Sequence, residues 1–227
     1  MGRVGAYGKM PALGDFMRIA PPAGFVEPWD RWLQEGMRAA RDRLGARWQA
    51  CFLTAPIWRF SLAPGLAGTH GVWGVLMPSV DRVGRMFPLT LVAPIPAKVD
   101  PVRWHFTVTA AFEELEEIAL DALSDTMTRD ALAQRLGACA PPVLSATGRV
   151  IREGAALLLD EPPDGAALAG LAGHLAGERR ARPSIWSQTG EAGTQILLDD
   201  GLPAADRAHR LFDPGGAGPE AAERSTA

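Results

Sequence analysis

The 227-residue sequence predicts an α/β chain of the α+β type, with a largely antiparallel central sheet packed against helices. Three observations carry that prediction. Between residues 48 and 96, WQACFLTAP, WRFSLAP, GVWGVLMP and MFPLTLVAPIP are short apolar stretches ended by proline or glycine. They read as strands, and joins this brief leave no room for the crossover helix that parallel pairing needs. Trp29, Trp32, Leu33, Met37, Ala40 and Leu44 recur at three- and four-residue steps, which marks one apolar helical stripe. Trp104, Val108, Phe112, Leu115, Ala119 and Leu123 repeat that spacing along DPVRWHFTVTAAFEELEEIALDALSD.

The remaining elements follow in chain order. RVGAY, residues 3–7, reads as a first strand, and GKMPALGDF as a loop interrupted by Gly8, Pro11 and Gly14. The first helix runs within Phe25 to Gly45, with Pro28 in its first turn and Gly45 as its stop. Asp100 caps the second helix and Pro101 occupies its first position. A smaller helix spans Arg129 to Leu136 behind Thr128. CAPPVLSATGR is a loop; VIREGAALLLD suits a strand or a buried helical segment, and periodicity does not decide. Leu168, Leu171 and Leu175 mark a helix, RPSIWSQ and TQILLD a late strand pair, and Leu202 to Phe212 a last short helix. No Pro/Gly/Ser linker splits the chain, so residues 1–212 are expected to form one domain. Residues 213–227 lack an apolar anchor and are expected to be disordered.

Composition excludes several functions. A net charge of −3 and a pI near 5.8 argue against a nucleic-acid binder. Cys51 and Cys139 form no disulfide framework and no zinc-ligand spacing, so both read as free core thiols. The first residues, MGRVGAYGKMPALGD, lack the apolar core of about 7 to 15 residues that a signal peptide requires. No run reaches the roughly 18 apolar residues of a membrane span, so the expectation is a cytoplasmic protein without membrane insertion.

Catalytic patterns fail in turn. GAYGKM shares only its Gly-Lys pair with a phosphate loop, and Met10 stands where a Ser or Thr must reach magnesium. There is no GxSxG and no HExxH, and His70, His105, His174 and His209 lie far apart. The Glu113–Glu117 run reads as a solvated helix face, and the seven tryptophans as core. No cofactor and no metal is expected.

One stretch remains: PSVDRVGRMFPL, residues 78–89, crowds Asp81, Arg82 and Arg85 between apolar runs. They are an anion-binding or catalytic group, a charged turn between strands, or a structural ion pair. Together with YGKMPALGDF, FVEPWDRWL, LTAPIWRFSLAPG, GVLMPSVDRVGRMFPLT and RPSIW, this stretch resembles the N-terminal-domain pattern of the TagF/ImpM family. The resemblance runs from Gly5 to Pro96, then more loosely through the Trp104 helix to RPSIWSQTG and Leu211–Phe212.

That resemblance implies a cytoplasmic accessory protein of bacterial type VI secretion that represses assembly or firing after translation. The implied partner is a forkhead-associated scaffold protein. An α/β sheet arrangement is implied as well, compatible with a longin-like or profilin-like layout. Some relatives carry a fused phosphatase domain, for which this chain has no room, so no enzymatic activity carries over. The residues matching the shared motif are Lys9, Asp15, Asp81, Arg82 and Arg85, in protein-binding or loop-organising roles. Two alternatives stand beside this reading: an anion or phospho-ligand binder or enzyme, and a structural part of the secretion machinery.

Overall fold

A computed structural model describes residues 3–142, 149–153, 156–160, 167–190 and 193–213. Its centre is a seven-stranded sheet of β1 (Gly5–Gly8), β2 (Met17–Ile19), β3 (Trp58–Leu62), β4 (Val72–Met77), β5 (Leu89–Pro94), β8 (Pro183–Gly190) and β9 (Gly193–Asp200). The order across the sheet is β2-β1-β5-β4-β3-β8-β9, and every neighbouring pair is antiparallel. Strands β6 (Arg149–Glu153) and β7 (Ala156–Asp160) pair separately as a two-stranded sheet. The described parts of VIREGAALLLD are therefore strand and not buried helix; residues 154–155 lie outside the described residues.

Helices cover both faces of the sheet. One face carries α1 (Val26–Leu44), α2 (Trp48–Leu53) and a 3-10 turn at Ala208–Leu211. The other carries α3 (Pro101–Thr107), α4 (Thr109–Asp121), α5 (Arg129–Ala138) and α6 (Ala167–Arg179). Alternation along β4 follows directly: Val72 and Leu76 enter the first core, while Trp73, Val75 and Met77 enter the second. A strand buried on both sides favours apolar residues at every position, which explains why VWGVLM and LTLVAP carry no charge and only one polar side chain, Thr90.

The first core is held by aromatic rings. Trp29 of α1 packs 4.9 Å from Phe60 and stacks 5.9 Å from Trp186, neighbours across β3 and β8. Burying an indole leaves its N–H needing an acceptor. Trp29 Nε1 donates to Thr90 Oγ1 at 2.9 Å, Trp32 Nε1 to the Pro203 carbonyl at 2.8 Å and Trp58 Nε1 to the Leu211 carbonyl at 2.9 Å. The last two bonds tie the C-terminal segment onto α1 and β3.

Three expected elements differ, one of them the last helix, since Leu202 to Phe212 holds only the 3-10 turn at Ala208–Leu211. WQACFLTAP is not a strand: Trp48–Leu53 is helical, and Trp48 and Phe52, four residues apart, are both buried against Phe212. That spacing fits a helical turn as well as an apolar strand fragment, and contact with the C-terminal turn decides it. The expected second helix is broken at Val108, whose backbone leaves the helical region at φ −102 and ψ 39. Three β-branched residues meet there, and Thr107 Oγ1 donates to the Arg103 carbonyl at 2.7 Å, which bends a helix. Leu123 lies beyond the end of α4 and is exposed, with Ala122 taking the buried place. The caps form as anticipated: Asp100 Oδ1 accepts from Arg103 N at 2.7 Å and Thr128 Oγ1 from Ala131 N at 3.1 Å. Of the expected tail, Asp213 pairs with Arg47 at 3.1 Å, and residues 214–227 lie outside the described residues.

Candidate functional site

Chain geometry brings two loops together at the β1 end of the sheet. One joins β1 to β2 and the other joins β4 to β5. Gly8 makes the approach workable: its φ of +136° and the Pro88 carbonyl, 2.0 Å from where a Cβ would stand, exclude other side chains. In the second loop Gly84 turns the chain at φ +81°. Its N–H donates to the Asp81 carbonyl at 2.8 Å, while Asp81 N donates to the Arg85 carbonyl at 3.1 Å.

Asp81 is the hub. Its side chain is wholly buried, yet every direction around the carboxylate holds a donor. Oδ1 accepts from Val83 N at 3.1 Å and Arg85 N at 2.9 Å. Oδ2 accepts from Arg85 Nε at 2.6 Å and lies 3.0 Å from Lys9 Nζ. Burial alone pushes this carboxyl's pKa up. The Arg85 backbone N–H, the Lys9 ammonium, the Arg85 guanidinium and the Val83 N–H outweigh burial and hold it well below the ordinary value.

The hub also locks one loop onto the other. Arg85 Nη2 donates to the Gly14 carbonyl at 2.6 Å, and Arg82 N to the Leu13 carbonyl at 2.9 Å. Lys9, itself buried, sits 5.0 Å over the Phe16 ring. Phe16 in turn contacts Phe87 at 4.8 Å and Tyr7 at 6.0 Å. Tyr7 OH donates to Asp30 Oδ1 at 2.5 Å, and burial together with that carboxylate pushes its pKa up.

Of the five motif residues, Lys9, Asp81 and Arg85 meet at one carboxylate. Asp15 and Arg82 lie on the same two loops and are exposed: Asp15 Oδ1 accepts from Phe16 N at 2.7 Å, and the Arg82 guanidinium lies over Gly14 and pairs with no carboxylate among the described residues. Lys9 and Arg85 therefore converge on the Asp81 carboxylate, and Arg82 is not bonded to it. The outer surface of this platform is Arg82, Val83 at 69% exposure and Phe16 at 47%. Sequence reading passes over Val83 and Phe16. Their signal is an apolar residue standing in a loop that offers it no stripe.

A second buried polar group lies between β3, β8 and α3. His105 Nδ1 is 3.1 Å from Ser61 Oγ and Nε2 is 2.8 Å from Ser187 Oγ. Burial and the nearby Arg59 charge push its pKa down to about 3, so the ring is neutral near pH 7. Arg59 is held by Glu116 through two 2.7 Å bonds. These contacts satisfy the helix–sheet junction. Among the described residues no group of three His, Cys, Asp or Glu side chains is placed to hold a metal ion. No described helix is long and apolar enough to cross a membrane.

Comparison with known proteins adds identity to geometry. Residues 5–139 match the family described as TagF N-terminal domain, type VI secretion system-associated. The crystal structure of PA0076 from Pseudomonas aeruginosa PAO1 is similar at 37% identity and a TM-score of 0.77. The alignment covers 95% of this chain and 96% of that one. A comparison with curated proteins found no match.

Proposed function

This chain belongs to the TagF N-terminal domain family associated with type VI secretion, and from that premise we propose that it restrains secretion by binding a component of the machinery. The reading is of a cytoplasmic, non-enzymatic negative regulator of assembly or firing whose partner is the forkhead-associated scaffold protein. The observation that supports it is the braced platform: a buried Asp81 hub rigidifies two loops that present Arg82, Val83 and Phe16 outward. Fixing an exposed charge and two apolar side chains before contact lowers the ordering entropy of binding. A phospho-ligand site at Lys9 and Arg85 has less support, because both already engage Asp81.

The test is secretion by the native bacterium. Overproducing the wild-type protein is expected to suppress export of a type VI substrate, and Arg82→Glu with Val83→Asp to relieve that suppression while the protein stays folded. Unchanged export on overproduction of the wild type contradicts a negative regulator.

A further inference from the structure

At the opposite edge of the sheet from the loop platform, β9 is the terminal strand, and no described strand lies beyond it. Its ladder phase is fixed by two bonds. Gly201 N donates to the Arg182 carbonyl at 2.9 Å, and Ala63 N draws the Pro183 carbonyl toward β3 at 2.9 Å. Antiparallel alternation then turns the backbone N–H and C=O of Thr194, Ile196 and Leu198 to the free edge. Neither lysine nor proline blunts this edge, unlike the usual protection of an outer strand.

The same edge borders an apolar groove of about 440 Å³ between α3, α6 and β9. Phe106, Leu175 and Ile196 line it while remaining 39%, 45% and 54% exposed, one from each element. Arg179 and Arg180 stand on its rim, and no described carboxylate pairs with either; Glu178 beside them is 3.4 Å from His174. Open backbone donors, an apolar trough and guanidiniums without a carboxylate partner among the described residues, all on one face, describe a strand-addition site with a preference for acidic flanks.

We propose that the free edge of β9 and this groove take an extended segment of a partner protein, with alternate apolar side chains in the groove and carboxylates against Arg179 and Arg180. The guanidinium pair selects this occupant over a second copy. Pairing β9 with itself about Ile196 brings two such arginine pairs, each lining the groove that Ile196 lines, toward one another, and their like charge opposes that pairing.

The test uses the full chain and the peptide Glu-Thr-Val-Thr-Val-Thr-Glu, which carries Glu and Val on one face when extended. Its lysine counterpart, Lys-Thr-Val-Thr-Val-Thr-Lys, is the control. The acidic peptide is expected to slow amide exchange at Thr194, Ile196 and Leu198 and to bind at least tenfold more tightly than the basic one. Arg179→Glu with Arg180→Glu is expected to reverse that order. Both substitutions lie outside the core, and the peptide control needs no variant at all. Equal binding of the two peptides, or no slowing at those three amides, overturns the proposal. So does protection of those amides in the free protein accompanied by concentration-dependent dimerisation, which assigns the edge to a second copy.

Discussion

Lys9 Nζ lies 3.0 Å from Asp81 Oδ2, joining the residue after β1 to the loop between β4 and β5 through a wholly buried carboxylate. The two residues are distant in sequence, and their meeting fixes the geometry of both loops. A buried charge left without its partner is strongly unfavourable, whereas a paired one is tolerated.

Substitutions at this hub are expected to rank. Asp81→Ala strands the Lys9 ammonium and frees two backbone N–H groups, so it lowers Tm most. Arg85→Ala removes the bonds to Asp81 Oδ2 and the Gly14 carbonyl, but its side chain is 58% exposed and Lys9 and both backbone N–H groups remain on the carboxylate, so it lowers Tm less. Arg82→Glu leaves unfolding free energy within about 0.5 kcal/mol of wild type, and Tm nearly unchanged, as exposed positions do. Thermal unfolding of the three variants checks the order; an Arg82 variant as unstable as the Asp81 one contradicts it.

Stability is expected to fall on the acid side in two stages. His105 has a folded value near 3 against an ordinary 6.5, so between those values the unfolded chain binds the proton first. Its contribution is complete above pH 6.5 and is lost as pH drops toward 3, with a slope of about 1.4 kcal/mol per pH unit. His209, also buried and lowered, acts with the same sign. Asp81, depressed below 3.8, adds a further loss as pH falls from 3.8 through its folded value. Denaturant unfolding across pH 7 to 4 checks the first stage, and His105→Gln is expected to flatten the slope there.

Helical Trp48–Leu53 carries its own prediction. Phe52→Ala empties a fully buried site and is expected to cost about 3–5 kcal/mol, while Leu53→Ala, at a side chain 51% exposed, costs about 0.5 kcal/mol or less. A strand would also separate Phe52 from Leu53, but it would set Ala50 on the Trp48 and Phe52 side, whereas Ala50 is exposed and Cys51 packs on that core; Ala50→Gln is therefore expected to cost about 0.5 kcal/mol or less. A loss at Ala50→Gln as large as that at Phe52→Ala, measured by chemical denaturation, contradicts the helical placement.

Removing an acceptor inside the core gives another test. Thr90→Val keeps the shape beside Trp29 but orphans its indole N–H, which is expected to cost about 1–3 kcal/mol. The accompanying change in tryptophan fluorescence reports whether Trp29 has shifted.

How far these features are readable in the sequence depends on the range of the forces behind them. The α1 stripe, the Asp100 and Thr128 caps and the strands β3, β4 and β5 follow from local spacing and were legible. The Val108 break was written in the Thr-Val-Thr run, but the longer apolar stripe masked it. Trp48 and Phe52 needed Phe212, more than a hundred residues away, to reveal a helix. At the site, the crowding of Asp81, Arg82 and Arg85 was visible, as was the Lys9 loop. What no local pattern disclosed was that Lys9 and Arg85 share one carboxylate while Arg82 faces outward, because that sorting is made by the β1–β5 pairing. Phe16 and Val83 became candidates only once their exposure was known.

The central claim is that the Asp81-braced loops form a protein-binding surface, and its most direct test is calorimetric titration with the purified forkhead-associated scaffold of the same bacterium. Saturable binding is expected for the wild-type chain, with at least tenfold weaker binding by Arg82→Glu/Val83→Asp at unchanged Tm. Absence of binding by the wild type, or undiminished affinity in that double variant, contradicts it.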